Sequence, residues 1–214
     1  MRTWCAIRRE LRVKSAETRR TGMGLAQENP AYITPEAYLA VEMASDTRSE
    51  YLKGEVFAMV GTSSMHNIIV LNIAQTFRNH LRGGPCQVFA LDLKLRVEAA
   101  NAYFYPDLMV TCSEADRRSE FIKTEPILVV EVLSPSTALF GRDKKFASYR
   151  QLPGLQEYML VDTEQESIEC YRRADNGEWI MHPYGAGEAV TLHSLGLTFP
   201  IETAYQDVDF TRSE

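Results

Sequence analysis

Residues 126–137, which read PILVVEVLSPST, contain a nearly unbroken run of aliphatic side chains with one carboxylate, Glu131, in the middle. A short strand that is apolar on both faces is typical of the centre of a sheet that is covered on both sides. An ionised glutamate among aliphatic side chains is costly unless it is paired or bound to a metal. The run therefore predicts a central strand, and it makes Glu131 a candidate functional residue.

Two more strand candidates precede this run, QVFALDLKLRV at residues 87–97 and AYFYPDLMVTC at residues 102–112. The first carries Asp92 on its polar face, and the second carries Asp107 directly after a proline. Carboxylates on successive strands favour a shared site, and oxygen donors on a rigid sheet suit Mg²⁺ or Mn²⁺. We therefore expect Asp107 and Glu131 to bind the metal, with Asp92 as a candidate third ligand. Two alternatives stay open: Asp107 could instead cap a turn, and Asp92 could simply face water.

The order of the remaining elements predicts the fold class. SSMHNIIVLNIAQTFRNHLRG, residues 63–83, has a helical apolar stripe with a serine cap and a terminal glycine pair. A hairpin turning at Lys53–Gly54 precedes it, and a second hairpin is expected near residues 175–177. We expect an α/β (α+β) fold, with a mixed central sheet flanked by helices and an added antiparallel hairpin, in a single domain at residues 29–214.

Composition excludes several classes of protein. No apolar run approaches the roughly 20 residues that span a bilayer, so we expect no membrane contact. Cys5, Cys86, Cys112 and Cys170 form no CxxC pair. We therefore expect neither a zinc site nor a disulfide framework, and a reducing cytoplasm fits best.

The net charge of −6 is unevenly distributed, because residues 1–22 carry +5 and the rest of the chain carries −11. We expect residues 1–28 to be a disordered basic extension, an uninformative tail or upstream start rather than an arm that contacts nucleic acid. The acidic body is unfavourable for non-specific DNA binding.

Two lysines, Lys144 and Lys145, follow Glu131 at the start of a predicted helix. Lys145 and Tyr149 are four residues apart and so share a helix face. A lysine near a metal site can orient the attacking water or stabilise charge that develops on a phosphate. Lys145 is the candidate, with Lys144 as the fallback; Lys145 could also be a solvated residue, or the partner of Glu131 in a structural ion pair.

Five blocks in order, over about residues 32–200, resemble the Uma-type restriction-endonuclease family of the PD-(D/E)XK nuclease superfamily. These blocks are RSEYLKGEVFAMVG with a following histidine, YPDLMV, VVEVLSPST, RDKKFASY and LQEYMLVD. The resemblance implies a restriction-endonuclease-like fold and a metal-dependent phosphodiesterase site. It matches the superfamily's acidic residues to Asp107 and Glu131, the acidic residue before the core to Glu50, and the block's histidine to His66. Glu50 competes with Glu55 for its role, and His66 could be structural.

The chain departs from the superfamily pattern at two positions. Leu133 stands where the pattern has lysine, and the family supplies that lysine from the next helix, at the position of Lys145. Gly141 stands where family members often have aspartate, which changes the local charge balance.

These residues together predict an endonuclease that hydrolyses DNA phosphodiester bonds with Mg²⁺ or Mn²⁺. A homodimer would supply two sites for cutting both strands, and the apolar segment LGLTFPI, residues 195–201, is a candidate interface. Two alternatives remain: a non-catalytic binding or regulatory module on a nuclease scaffold, and an RNA or nucleotide phosphodiesterase.

Overall fold

The computed structural model describes residues 32–59, 61–133 and 144–211. The predicted basic extension at residues 1–28 lies outside the described residues, as do Cys5 and Gly141.

Helices make up a small part of the described chain. They are α1 (Pro35–Met43), α2 (Ser64–His80), α3 (Glu114–Arg118) and α4 (Phe146–Tyr149). The first strands are β1 (Ser49–Leu52), β2 (Glu55–Ala58), β3 (Gln87–Ala90), β4 (Lys94–Val97), β5 (Ala102–Phe104), β6 (Leu108–Thr111) and β7 (Ile122–Lys123). The later strands are β8 (Leu128–Leu133), β9 (Glu157–Asp162), β10 (Ser167–Arg173), β11 (Trp179–Gly185), β12 (Ala189–Leu192) and β13 (Leu197–Pro200).

The strands form a six-stranded sheet in the order β11-β10-β9-β8-β6-β3 and a five-stranded sheet in the order β2-β1-β5-β4-β7. Strands β12 and β13 pair with each other in a separate hairpin. The pairs β8·β9 and β4·β7 are parallel, and the other pairs in the two larger sheets are antiparallel. The prediction of a mixed central sheet is confirmed.

Strand β8 is the central strand that its apolar sequence predicts, and all six of its residues are buried. Alternation along the strand sends Val130 and Val132 to one core, which α2 and the β12–β13 hairpin help to form. Val129 and Leu133 face a second core on the opposite side. Glu131 shares this second face, since side chains two residues apart point the same way.

The five-stranded sheet covers most of the second core. Flanking helices were expected on both faces of the central sheet, and on this face a second sheet takes most of their place. Leu95 of β4 and Phe104 of β5 contribute to it, together with Tyr149 of α4. The short helix α4 is therefore the helical part of this layer, and it places its side chains between the two sheets.

The prediction of one continuous strand at residues 87–97 is wrong. Leu91 and Asp92 have φ values of 45° and 58°, which strand residues do not adopt. The chain turns there because β3 belongs to the six-stranded sheet and β4 to the five-stranded sheet. The segment 102–112 divides for the same reason, since β5 and β6 lie in different sheets on either side of Pro106.

A disulfide framework was not expected, yet Cys86 and Cys112 form one disulfide bond, with their Cα atoms 4.0 Å apart. Gln87 of β3 pairs with Thr111 of β6, so the two cysteines are the next opposed positions along this antiparallel pair. Cys170 is a buried free thiol.

The segment LGLTFPI does not offer the apolar surface expected of an interface. Leu197 and Phe199 point into the first core, and Ile201 is fully buried there. The homodimer stays a prediction without a surface assigned to it. None of the helices in the described ranges has both the length and the hydrophobicity needed to cross a bilayer.

We predict that the disulfide stabilises the fold by about 2–4 kcal/mol, because the two cysteines are 26 residues apart and the bond restricts the unfolded chain. Urea denaturation of the wild type should show a lower midpoint with reductant than without it. The Cys86→Ser/Cys112→Ser variant is the control, and its midpoint should not respond to reductant. Four reactive thiols in the unreduced, denatured wild type would show that the bond is absent.

Candidate functional site

Glu131 lies between the two sheets and is held by two side chains from the α4 region. Lys145 Nζ is 3.2 Å from each carboxylate oxygen of Glu131, and Tyr149 donates a hydrogen bond to Oε1 over 2.8 Å. The Glu131 side chain is 7% exposed. The glutamate in the apolar strand is thus a paired group, as the cost of burying a charge requires.

Glu50 reaches the same lysine from the other sheet. It lies on β1, and its Oε1 is 2.7 Å from Lys145 Nζ. The backbone N–H of Tyr105 donates to this oxygen over 3.0 Å. Glu55 is exposed on β2, so the burial of the two side chains favours Glu50 as the acidic residue before the core.

Asp107 stands at the start of β6, where its carboxylate is oriented from two directions. The backbone N–H of Val132 donates to Oδ2 over 2.8 Å, and His66 Nε2 lies 3.2 Å from Oδ1. Ser63 caps α2 by accepting from the His66 backbone N–H, which fixes the turn that carries the imidazole. The structure therefore brings the Asp107 carboxylate next to Val132 of β8, the residue that follows Glu131.

Lys145, rather than Lys144, is the buried member of the lysine pair. Its ammonium lies 5.8 Å from the centre of the Phe104 ring as well as against the carboxylates. Lys144 is exposed, and its Nζ lies 5.7 Å from the Phe57 ring centre. Helical spacing placed Lys145 on the face of Tyr149, and both side chains do contact Glu131.

Asp92 is not brought into this cluster. It occupies the turn between β3 and β4, its side chain is 75% exposed, and its Oδ1 is 3.8 Å from Arg48 Nε. The Asp92 side chain therefore faces water, which is one of the two alternatives that the sequence left open. The residues of the cluster are therefore Glu50, Asp107 and Glu131 with Lys145, His66 and Tyr149.

The cluster contains three acidic side chains and one lysine, and Glu50 and Glu131 both contact the Lys145 ammonium. Burial raises the pKa of Glu131 to about 8, and although Lys145 opposes that rise, the charges of Asp107 and Glu50 add to it. Burial alone would lower the pKa of Lys145, but the charges of Glu131 and Glu50 outweigh it and raise that pKa. Lys145 is accordingly an ammonium.

Sequence reasoning missed Glu42, a buried support of the cluster. Glu42 accepts from the Tyr105 hydroxyl over 2.7 Å and from the Ser49 hydroxyl over 2.8 Å. Ser49 directly precedes Glu50 in the sequence, and the backbone N–H of Tyr105 donates to the Glu50 carboxylate. The available signal was spacing, since Glu42 lies four residues after buried Tyr38 on the same face of α1.

The donor chemistry of the cluster fits a hard divalent cation. Mg²⁺ is commonly held by one or two carboxylates together with water and substrate oxygens, and Asp107 and Glu131 supply two carboxylates. Within residues 32–59, 61–133 and 144–211, no group of three or more His, Cys, Asp or Glu side chains is arranged to hold a metal ion. Lys145 instead occupies the space between Glu50 and Glu131.

Comparison with known proteins first identifies the class of fold. A crystal structure from Anabaena variabilis, described as a "putative nuclease belonging to DUF820", superposes with a TM-score of 0.69 at 18% identity. The match covers 81% of this chain and 97% of that one. The chain therefore has the same mixed α+β fold as that structure.

The family follows from the sequence comparison. The model of the Uma2 family, described as "Putative restriction endonuclease", matches residues 35–202, and this chain belongs to that family. Two proteins of Synechocystis sp. are relatives. "Uncharacterized protein slr1290" is 39% identical, covering 83% of this chain and 94% of that protein. "Uncharacterized protein sll1609" is 32% identical over 70% of this chain and 85% of its own length.

The raised pKa of Glu131 predicts a pH dependence of stability in the absence of divalent ions. Between pH 4.5 and about 8, the unfolded chain loses this proton while the folded chain keeps it. The free energy of unfolding should therefore fall as pH rises, by at most about 1.4 kcal/mol per pH unit for one proton.

Urea denaturation in EDTA at several pH values measures this contribution. Glu131→Gln, which cannot ionise, should flatten the dependence across this window. Glu55→Gln, an exposed glutamate on β2, is the control and should leave it unchanged. Equal pH profiles for the wild type and Glu131→Gln would contradict the raised pKa.

Proposed function

We propose that this protein is a metal-dependent endonuclease that hydrolyses the phosphodiester bonds of DNA. The observation that carries the proposal is that Glu50 and Glu131 share one buried lysine while Asp107 is hydrogen bonded to the residue after Glu131, in a chain of this family. With Glu131 ionised, the three carboxylates and the single ammonium would carry an excess of negative charge, which a divalent cation would balance.

Asp107 and Glu131 would hold the cation, with Glu50 beside them. When bound, Mg²⁺ or Mn²⁺ would neutralise charge on the scissile phosphate and make water a better nucleophile. The chain's own contribution is orientation: the Val132 N–H and His66 fix the Asp107 carboxylate, and Tyr149 fixes that of Glu131. Such partners hold ligands in their productive geometry.

Lys145 would stabilise the negative charge that develops on the phosphate during hydrolysis. In that reaction water adds to phosphorus, the bond to the leaving oxygen breaks, and that oxygen takes up a proton. The raised pKa of Lys145 keeps its amine protonated, which suits charge stabilisation better than removal of a proton from water.

Plasmid cleavage and calorimetric Mn²⁺ titration of Asp107→Asn and Glu131→Gln test the proposal. Each change removes one charged ligand, so we expect weaker Mn²⁺ binding and at least a hundredfold lower cleavage, about 2.7 kcal/mol in the barrier. Asp92→Asn removes an exposed carboxylate outside the cluster and is the matched control.

The outcomes separate the proposal from its alternatives. A folded wild type that binds no Mn²⁺ through these residues would favour the non-catalytic scaffold. Cleavage of RNA but not of DNA would favour the RNA phosphodiesterase.

A second prediction concerns competition between Lys145 and the cation for the same carboxylates. Removing the ammonium in Lys145→Met should make Mn²⁺ bind at least tenfold more tightly, because unit charges about 4 Å apart interact by roughly 4 kcal/mol at an effective dielectric of 20. Cleavage should fall at the same time, because the group that stabilises the phosphate is lost. Titration at pH 8 with Lys144→Met as the matched control measures this, and unchanged or weaker Mn²⁺ binding would contradict it.

A further inference from the structure

A long stretch of this acidic chain contains no acidic residue at all. Between Glu55 and Asp92, 36 successive residues include Arg78 and Arg82 but neither aspartate nor glutamate. The chain as a whole has 29 Asp and Glu and a net charge of −6. The segment contains α2 and β3, so the described surface of these two elements has no carboxylate side chain of its own to repel a polyanion.

The two elements border an open groove of about 830 Å³. Its α2 wall includes Gln75, Arg78 and Asn79, and Arg82 lies just beyond the end of that helix. The opposite wall is β3, with Phe89 among its lining residues. Strand β3 is the edge of the six-stranded sheet, so the groove is open along one side. Its described lining combines guanidinium and amide donors and contains no carboxylate.

The arginines of this groove are not neutralised by acidic neighbours in the described ranges. Arg78 is exposed in the last turn of α2. Arg82 is also exposed, and its guanidinium donates to the side-chain oxygen of Asn79 over 3.2 Å, a neutral partner. Guanidinium groups without carboxylate partners are suited to binding phosphate.

The groove has one end near the carboxylate cluster. Helix α2 carries His66, the partner of Asp107, in its first turn, and β3 ends beside Asp107, whose carbonyl accepts from the Leu91 N–H. From His66 to Arg78 the helix rises roughly 18 Å at 1.5 Å per residue. That span corresponds to about five base pairs of duplex DNA at 3.4 Å each.

We propose that the groove between α2 and β3 binds the phosphate backbone of the DNA substrate beyond the cleavage site, with Arg78 and Arg82 contacting phosphates. This inference rests on the proposed function, because it takes DNA as the substrate of the carboxylate cluster. It assigns the affinity for DNA to a restricted strip, through which a protein whose overall charge is negative would bind DNA. Contacts to phosphate carry no base specificity.

A basic side chain in the last turn of a helix also interacts favourably with the helix dipole, so the test needs a control for that effect. Arg117 and Arg118 provide it, because both are exposed in the last turn of α3. They lie among acidic residues, and Arg118 is paired with Glu114. Replacing this pair changes the net charge by the same amount near the C-terminal end of another helix.

The experiment measures binding of labelled duplex DNA of two unrelated sequences by fluorescence anisotropy, in EDTA to prevent metal-dependent cleavage, over 50–200 mM salt. Compared with the wild type, Arg78→Gln/Arg82→Gln should bind both sequences more weakly. Its slope of log affinity against log salt should be smaller by about 2, one for each lost phosphate contact. Arg117→Gln/Arg118→Gln should keep the wild-type slope, and circular dichroism should show both variants folded.

A wild-type slope in the folded Arg78→Gln/Arg82→Gln variant would overturn the inference, and so would an equal loss in the control variant. If either of these outcomes is found with a wild type that cleaves DNA, only the proposed phosphate contact in the groove is refuted, and the proposed endonuclease function is not. A wild type that neither binds nor cleaves DNA would refute the proposed function itself.

Discussion

The contacts of Lys145 with Glu50 and Glu131 hold together the two sheets and the region before α4. Glu50 belongs to the five-stranded sheet, Glu131 to the six-stranded sheet, and the single ammonium lies between them. Breaking a buried pair by removing one partner typically costs about 3–5 kcal/mol, because the remaining charge is left uncompensated. The fold therefore keeps Glu50 and Glu131 close to each other through the one ammonium that both contact.

The site lies where the chain passes between the two sheets. One crossing joins β3 to β4 through Leu91 and Asp92, and the other joins β5 to β6 through Tyr105 and Pro106. The Leu91 N–H donates to the Asp107 carbonyl, so the two crossings are hydrogen bonded to each other. Because backbone on both sides of these crossings is paired in a sheet, the carboxylate of Asp107 is presented on a rigid support, which a catalytic geometry requires.

The sequence predicted the parts of the site that depend on local pattern. The apolar run around Glu131 required a central strand, and helical spacing placed Lys145 with Tyr149. Asp92 was misplaced because the polar alternation of residues 87–97 continues through a turn that only sheet pairing reveals. The Cys86–Cys112 bond was missed because the register of β3 against β6 cannot be obtained from 26 residues of intervening sequence. Glu42 was missed because its partners, Ser49 and Tyr105, come from separate segments.

A crystal structure with Mn²⁺ would show whether Asp107 and Glu131 form the cation site that we propose. Anomalous scattering locates the ion without any assumption about activity. We predict an anomalous peak between Asp107 and Glu131, with Lys145 Nζ displaced from at least one of the carboxylates it now contacts. Lys145 still bound to both Glu50 and Glu131, with no peak at the cluster in crystals soaked at millimolar Mn²⁺, would contradict it.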